Sequence, residues 1–218
     1  MPDSPIDLAA SDLLLSTTRS VRKRLDLERA VPRDAIIDCI RLAVQAPTGG
    51  NSQRWRWMVV TDPAKRAALA ELYDSTARPY LSAAVEASST GDPQTARVYS
   101  SAHYLLDVLH RVPVHVIPCV EGRVADADNS MAASFYGSIL PAVWSFMLAL
   151  RARGLGSVWT TLHLAKEREA AELLGIPYES VSQVALLPVA YTVGTDFKPA
   201  TRGPVEEITY WNEWGDTA

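Results

Sequence analysis

A short basic segment near the N-terminus carries side chains that suit a phosphate group. In TTRSVRKRLD, Arg19, Ser20 and Arg22 lie close together. In an extended chain Ser20 and Arg22 would point to one side and Arg19 to the other. Guanidinium groups beside a hydroxyl suit a phosphate because arginine can bind it through two parallel charged hydrogen bonds. A solvated basic loop is the alternative for this segment taken alone.

A second segment, APTGGNSQRW, combines glycines with side-chain amides. Gly49 and Gly50 allow the backbone to approach a flat ligand closely. Asn51 and Gln53 each offer a donor and an acceptor, which match the amide edge of a pyrimidine-like ring. The alternative is a polar turn between a helix and a strand.

A third candidate is an arginine near the C-terminus, in FKPATRGP. Arg202 lies among small residues and prolines and is not part of a surface charge run. It could bind the same anion as the N-terminal arginines, and an exposed tail arginine is the alternative.

The familiar catalytic motifs are absent from the sequence. It has no Walker loop, HExxH, GxSxG, Cys/His nucleophile pair or GxGxxG, and its four histidines lack ligand spacing. Cys39 and Cys119 are too far apart to indicate a disulfide framework or a cysteine zinc site. An enzyme with these residues must take its chemistry from a cofactor.

The composition is that of a globular protein. The chain has 218 residues, 48% hydrophobic and 21% charged, with a formal net charge of −4. We expect one domain across residues 1–218, and the acidic balance argues against a nucleic-acid partner. No signal peptide is visible and the apolar run 139–150 is too short to span a bilayer, so we expect a cytoplasmic protein without membrane contact.

Helical and strand patterns alternate along the chain, which indicates an α+β or α/β class. The expected helices are 6–15, 33–46, one from Pro63 through Leu72, 96–109, a nearly all-apolar 132–153, and 166–174. The expected strands are 55–59, 112–120, 157–162 and 184–191. Residues 80–95, rich in Ser, Ala and Thr, are expected to be a mobile excursion, and the tail from Lys198 is expected to be extended.

Five segments in order resemble the nitroreductase family of FMN-dependent oxidoreductases, and its mycobacterial-type members in particular. They are TTRSVRKRLD, APTGGNSQRWRWMVV, RGLGSVWTTLHL, LLGIPYESVSQVALLPVAYT and FKPATRGPVEEITYWNEW, and together they cover most of residues 16–214. The resemblance implies an α+β fold with a central, mostly antiparallel sheet flanked by helices. It also implies a domain-entwined homodimer with FMN at the subunit interface, and a variable excursion at about 80–130 that helps to cover the active site.

The resemblance also assigns FMN-binding residues. The ribityl phosphate and the pyrimidine edge are held from one chain, with Arg202 closing on the phosphate, while the 47–53 segment contacts the flavin from the partner subunit. The 160–163 segment places a backbone N–H near flavin N5, although His163-Leu164 stands where the enteric enzymes have Glu-Gly. The implied FMN-binding residues are Arg19, Ser20, Arg22, Pro47, Thr48, Gly49, Asn51, Gln53, Thr161, Leu162, His163 and Arg202.

The expected activity is ping-pong hydride transfer from NADPH or NADH, through FMN, to a small aromatic acceptor of the nitroaromatic or quinone type. The flavin carries the hydride, so no side chain is assigned as catalytic. The alternatives are a flavin-sequestering protein with little turnover and an oxygen-dependent flavin-fragmenting enzyme of the same fold. That fold also hosts an iodotyrosine dehalogenase and azole-forming dehydrogenases.

Overall fold

The computed structural model describes residues 6–124 and 127–217, which fall into two compact units. The smaller unit consists of residues 6–18 and 196–217, and the larger unit is 19–195. In the smaller unit, helix α1 is Leu8–Thr17, and the side chain of its N-cap Asp7 accepts from Ala10 N. The tail contains one 3-10 turn, Val205–Ile208. The expected N-terminal helix is thus confirmed, and the single domain 1–218 stays a prediction.

In the larger unit, a five-stranded sheet is flanked by six α-helices among the described residues. The strands are β1 Trp55–Val60, β2 Val114–Glu121, β3 Leu155–Ser157, β4 Val181–Gln183 and β5 Leu187–Tyr191. The helices are α2 Arg33–Ala43, α3 Pro63–Ser88, α4 Pro93–Val108, α5 Asn129–Gly137, α6 Leu140–Ala152 and α7 Glu167–Leu174.

Every ladder between named strands is antiparallel. The order is β1-β2-β5-β3, and β4 also pairs with β2. The expected α+β class with a mostly antiparallel sheet is confirmed. β1 pairs with β2 along one of its edges, and no other described strand pairs with it.

The central strand β2 contributes side chains to a hydrophobic core on each face of the sheet. Ile117 and Cys119 lie in the core shared with α3, α4 and α7, whereas Val116 and Val120 lie in the core shared with α2 and α6. Successive strand residues point to opposite faces, so an almost wholly apolar strand is what a sheet covered on both sides requires.

The expected mobile excursion at 80–95 is wrong, because most of it is helical. α3 runs on to Ser88, and α4 begins at Pro93 with the side chain of Asp92 accepting from Thr95 N at 2.7 Å. Buried residues recur in α3 at every fourth position, and this stripe holds the helix to the core past Pro79. The stripe is Leu69, Tyr73, Ala77 and Leu81.

The expected single helix 132–153 is wrong too, because two helices, α5 and α6, meet at Ser138 and Ile139. Pro141 lies in the first turn of α6, where its missing N–H disturbs no helical hydrogen bond. By length and composition alone the stretch Asn129–Ala152 could cross a membrane. This is weak evidence, because a core helix passes the same test and six of the thirteen residues of α6 are buried in the protein.

The expected strand 157–162 is also wrong. β3 ends at Ser157, and a 3-10 helix, η3, spans Leu162–Lys166 before α7. Strand 184–191 is confirmed in part as β5, with β4 preceding it.

Candidate functional site

The 19–25 segment lies along β3. Ser20 forms a parallel bridge with Ser157, and Val21 N donates to Ser157 O at 2.9 Å. Gly156 makes this approach possible: a Cβ there would lie 2.6 Å from Thr192 Cγ2 and 3.0 Å from Val21 Cβ. The sequence-predicted basic cluster is therefore fixed to the sheet and is not a free surface loop.

Arg22 is a half-buried cation without a carboxylate partner among the described residues. Its Nη1 donates to Ser101 Oγ of α4 at 3.2 Å. Burial lowers the pKa of Arg22, which means that the environment disfavours the positive charge. A buried charge of this kind is expected to be compensated by a ligand of opposite sign.

Tyr73 of α3 connects Arg22 with the 160–163 turn. Burial raises the pKa of the Tyr73 phenol, while the charge of Arg22 and the side chain of Thr160 oppose the rise. The turn itself is fixed on two sides: Leu186 N donates to Thr160 O at 2.8 Å, and Thr76 Oγ1 of α3 donates to Leu162 O at 2.8 Å. Arg22 and the predicted 161–163 residues are thus brought to the same side of the larger unit.

The η3 helix leaves two backbone donors at its start. Its first hydrogen bond runs from Leu164 N to Thr161 O at 2.9 Å. The N–H groups of the two preceding residues, Leu162 and His163, have no acceptor in the described part of the chain. Thr161 is exposed and Leu162 is half-buried. These are the donors that the sequence resemblance places near flavin N5.

His163 is completely buried and neutral. Burial lowers its pKa to about 4, an effect that the neighbouring Gln183 side chain partly offsets. Gln183 lies close to the ring, but neither ring nitrogen reaches a well-formed hydrogen bond with a described residue. The imidazole is therefore a packed core group, and His163 as a whole is closed off from solvent.

An ion pair fixes the residues that follow the 160–163 turn. Arg123 Nη2 and Glu167 Oε2 are 2.7 Å apart, and Gln183 N donates to Glu167 Oε1 at 2.9 Å. Gln183 Nε2 donates to Glu167 O at 2.8 Å. Sequence reasoning missed Tyr73, Ser101 and Glu167, because nothing in a single sequence pairs them with residues so far away along the chain.

The 47–53 loop makes its described hydrogen bonds within itself or to α5. Gly49 N donates to Ser138 Oγ at 2.9 Å, and Gln53 Nε2 donates to Asn51 Oδ1 at 2.9 Å. Gly50, Asn51 and Gln53 have φ values of 57°, 52° and 49°. A pocket of about 520 Å³ adjoins the loop and is lined by Gly49, Ser52, Arg54, Trp55, Val120, Gly122, Arg123, Val124, Ser130, Met131, Ser134, Phe135 and Ser138.

Most of the side chains in this loop are exposed. Pro47, Asn51 and Gln53 face solvent, and Thr48 is half-buried, with its Oγ1 accepting from Gln53 N at 3.3 Å. Arg202 is an exposed residue of the smaller unit, with Nη1 donating to Thr201 O at 3.0 Å. Arg19 is half-buried in the larger unit. The flavin-binding roles of all these residues stay predictions.

The chain matches known proteins over most of its length. The model of the nitroreductase family matches residues 15–191. A Thermus thermophilus protein named NADH dehydrogenase is 28% identical in an alignment 207 positions long, which covers 88% of this chain and 91% of that protein.

Solved structures share the fold. Iodotyrosine deiodinase bound to FMN and 3-iodo-L-tyrosine has a TM-score of 0.69 and 23% identity, over 92% of this chain and 98% of that one. The FMN-dependent nitroreductase NfnB of Mycobacterium smegmatis, in complex with NADPH, has a TM-score of 0.68 and 20% identity, over 95% of this chain and 100% of that one. Because the model of the nitroreductase family matches most of its length, the chain belongs to this family.

Proposed function

We propose that the chain is an FMN-dependent NAD(P)H oxidoreductase that reduces nitroaromatic or quinone-type acceptors. The observation that carries the proposal is Arg22, a half-buried cation without a carboxylate partner in the described chain, on the same side as the backbone donor of half-buried Leu162. The bound FMN and NADPH of the structural relatives support it.

The residues present fit FMN. Its phosphate and the electron-rich edge of its ring need cations, which Arg19 and Arg22 supply, and a hydroxyl, which Ser20 supplies. The N–H group of Leu162 would offer a donor to an acceptor on the ring. When bound, FMN supplies the redox chemistry, accepting a hydride and passing electrons on.

The chain's own residues then set the geometry and the electrostatics. Arg22 would hold the flavin's pyrimidine edge, and because its guanidinium is partly desolvated, its attraction for negative charge on the ring would be stronger than in water. Ser101 holds the Arg22 side chain through a hydrogen bond, and Tyr73 interacts with its charge. His163 fixes the turn by packing and remains neutral, so it takes no part in proton transfer at neutral pH.

We propose that the nicotinamide and the acceptor use one site in turn, which predicts ping-pong kinetics. Planar, electron-poor aromatic rings that stack on a flavin suit such a site. The visible spectrum of the purified protein under nitrogen tests the function. We expect a yellow protein that bleaches with NADPH or NADH and recovers its colour with a quinone.

Two other outcomes would overturn the proposal. A yellow protein that ignores both nucleotides would favour the flavin-sequestering or flavin-fragmenting alternatives. A colourless protein that does not bind added FMN would overturn the cofactor assignment itself.

We also propose that the protein is a homodimer. Large apolar side chains remain exposed on the α2, α5 and α6 side of the larger unit: Ile37, Leu42, Met131, Tyr136, Leu140 and Trp144. Several large exposed apolar side chains on neighbouring helices favour a protein interface. The 47–53 loop adjoins α5, so a second copy on this surface would bring the loop to the partner's flavin.

The entwined form of the dimer has support at the open edge of β1. A groove of about 760 Å³ lies there between α2 and β1, with Ile37, Ile40 and Trp57 among its lining residues. Trp57 Nε1 is buried and has no partner in the described chain. The 196–217 tail of a second copy, with exposed Trp211 and Trp214, would pair with the edge, cover the groove and offer carbonyl acceptors. Both cysteines are buried and unpaired, which supports a reducing compartment such as the cytoplasm.

A further inference from the structure

A second cationic pocket lies next to Arg22. Its volume is about 490 Å³, within the range of small-molecule sites, and we call it the α4 pocket. Its lining residues are Lys23, Ala96, Arg97, Ser100 and Ser101. Two of the five are cations, two are hydroxyls, and none is acidic.

The geometry of α4 brings these groups together. Arg97 and Ser101 lie one turn apart on the same side of the helix. Lys23 Nζ donates to Ser100 Oγ at 3.3 Å, next to the hydrogen bond from Arg22 to Ser101. The α4 pocket therefore shares a wall with the cation that we place beside the flavin.

The positive charges in the pocket are not neutralised locally. Arg97 makes no hydrogen bond or ion pair within residues 6–124 and 127–217. Asp92 interacts with the Arg97 charge through space, but its Oδ2 already accepts from Thr95 N at 2.7 Å and from Thr95 Oγ1 at 2.8 Å. Two cations and two hydroxyls with no facing carboxylate favour a multiply charged anion, and arginine and lysine both recognise phosphate.

We propose that the α4 pocket binds the 2′-phosphate of NADPH and so makes NADPH the preferred electron donor. The inference rests on the proposed function, because it requires a nicotinamide nucleotide at the flavin. NADPH differs from NADH only in this phosphate, and nearby arginine is a known device for accommodating it. Arg97 and Lys23 bind the phosphate oxygens, and Ser100 donates a further hydrogen bond.

The first experiment measures KM and kcat of the FMN-loaded protein with NADPH and with NADH, using a quinone as the acceptor. We expect Arg97→Glu to raise the KM for NADPH by roughly 10-fold or more, because it removes a charged hydrogen-bond donor to the phosphate and puts a negative charge in its place. The KM for NADH should change less than about twofold, in line with the small effect of exposed charges at a distance. Lys23→Ala should act in the same direction, and Lys65→Ala, an exposed cation outside the pocket, serves as the control.

A binding experiment provides a readout without turnover. Isothermal titration of the FMN-loaded protein compares adenosine 2′,5′-bisphosphate with adenosine 5′-monophosphate, which lacks the 2′-phosphate. We expect the bisphosphate to bind roughly 10-fold tighter, and this difference to disappear in Arg97→Glu. Equal affinities in the unmodified protein would overturn the assignment.

The results separate the two proposals. Flavin that is reduced by neither nucleotide would overturn the proposed function. Flavin that is reduced equally well by both, with a KM ratio unchanged in Arg97→Glu, would overturn the α4 pocket alone. A KM that rises for an anionic acceptor but not for NADPH would also overturn it.

Discussion

The two halves of the candidate site differ in how completely one chain builds them. The closed side, which consists of residues 19–25, β3 and the 160–163 turn, is fixed by backbone hydrogen bonds, by a glycine contact and by buried Tyr73. The open side, which consists of the 47–53 loop and α5, is mostly exposed, and no α5 residue is buried among those described. We infer that the closed side is built before any partner arrives, whereas the open side becomes part of a site only beside a second copy.

The largest effect should come from removing the cations of the closed side. Arg19→Ala combined with Arg22→Ala should purify without colour, because losing charged contacts worth about 1.5–3 kcal/mol each lowers FMN affinity by roughly 100-fold or more. Absorbance at the flavin band and titration with FMN measure this. Arg168→Ala, which removes an exposed arginine of α7, should stay yellow. Retention of stoichiometric FMN by the double variant would contradict the assignment of these arginines.

The open side should fail when the exposed apolar surface of the neighbouring helix α6 is made charged. Trp144 is 42% exposed on α6, and Trp144→Glu should give a monomer or an aggregate without flavin. Sedimentation velocity and the visible spectrum measure the two losses together, and Trp144→Phe should remain a yellow dimer. A well-behaved, FMN-loaded dimer from Trp144→Glu would remove the argument for this interface.

Acid should weaken the closed side through His163. Its pKa in the folded chain is about 4, below the ordinary 6.5, so the unfolded chain binds protons more readily. The stability is therefore complete above pH 6.5 and decreases as the pH falls towards 4, by about 3 kcal/mol for such a shift. Urea unfolding at several pH values measures the slope.

The variant His163→Leu tests whether this histidine is responsible. Its unfolding free energy should depend less steeply on pH between 6.5 and 4 than that of the unmodified protein. Buried His115, whose pKa burial likewise lowers to about 4, should account for part of the slope that remains. An unchanged slope in His163→Leu would show that the imidazole is not a buried neutral group.

The smallest effect should come from adding a single methyl group at a glycine. Its size should depend on whether the glycine lies on the closed side or on the open side. Gly156→Ala places a Cβ against Val21 and Thr192, so we expect a loss of about 1–3 kcal/mol in unfolding free energy and weaker FMN binding. Gly137→Ala on the open side meets nothing within 4 Å and should be neutral or stabilising by up to about 1 kcal/mol. Equal effects at the two positions would contradict the difference in packing between the closed side and the open side.

Local patterns in the sequence were enough to place most of the elements. Alternation predicted β1, and the apolar run 112–120 predicted β2, to within two residues. The 80–95 segment was misjudged because its Ser-, Ala- and Thr-rich composition outweighed a fourth-residue stripe of buried side chains that Leu81 continues. The division between α5 and α6 could have been found from Gly137 and Pro141, which lie where one helix ends and the next begins.

The site could be predicted only as far as local motifs extend. Arg22 was identified from its neighbours in sequence, but its contact with Ser101 joins residues that only the fold brings together. The same holds for Lys23 and Arg97, which line one pocket from two separate segments. The imidazole of His163 is buried, so this side chain packs in the core and does not contact a ligand.

The helical pair α3 and α4 also bears on the order of folding. Each helix begins with the same device, an aspartate cap followed by proline, and the two are joined by a short turn, so their contacts are local in sequence. They occupy almost the whole interval between β1 and β2, which must pair across it. Because local contacts form faster than distant ones, we expect this hairpin to close first and to shorten the chain that β1–β2 pairing must loop out. The segment whose composition resembles a loose excursion would then fold early and allow β1 and β2 to pair.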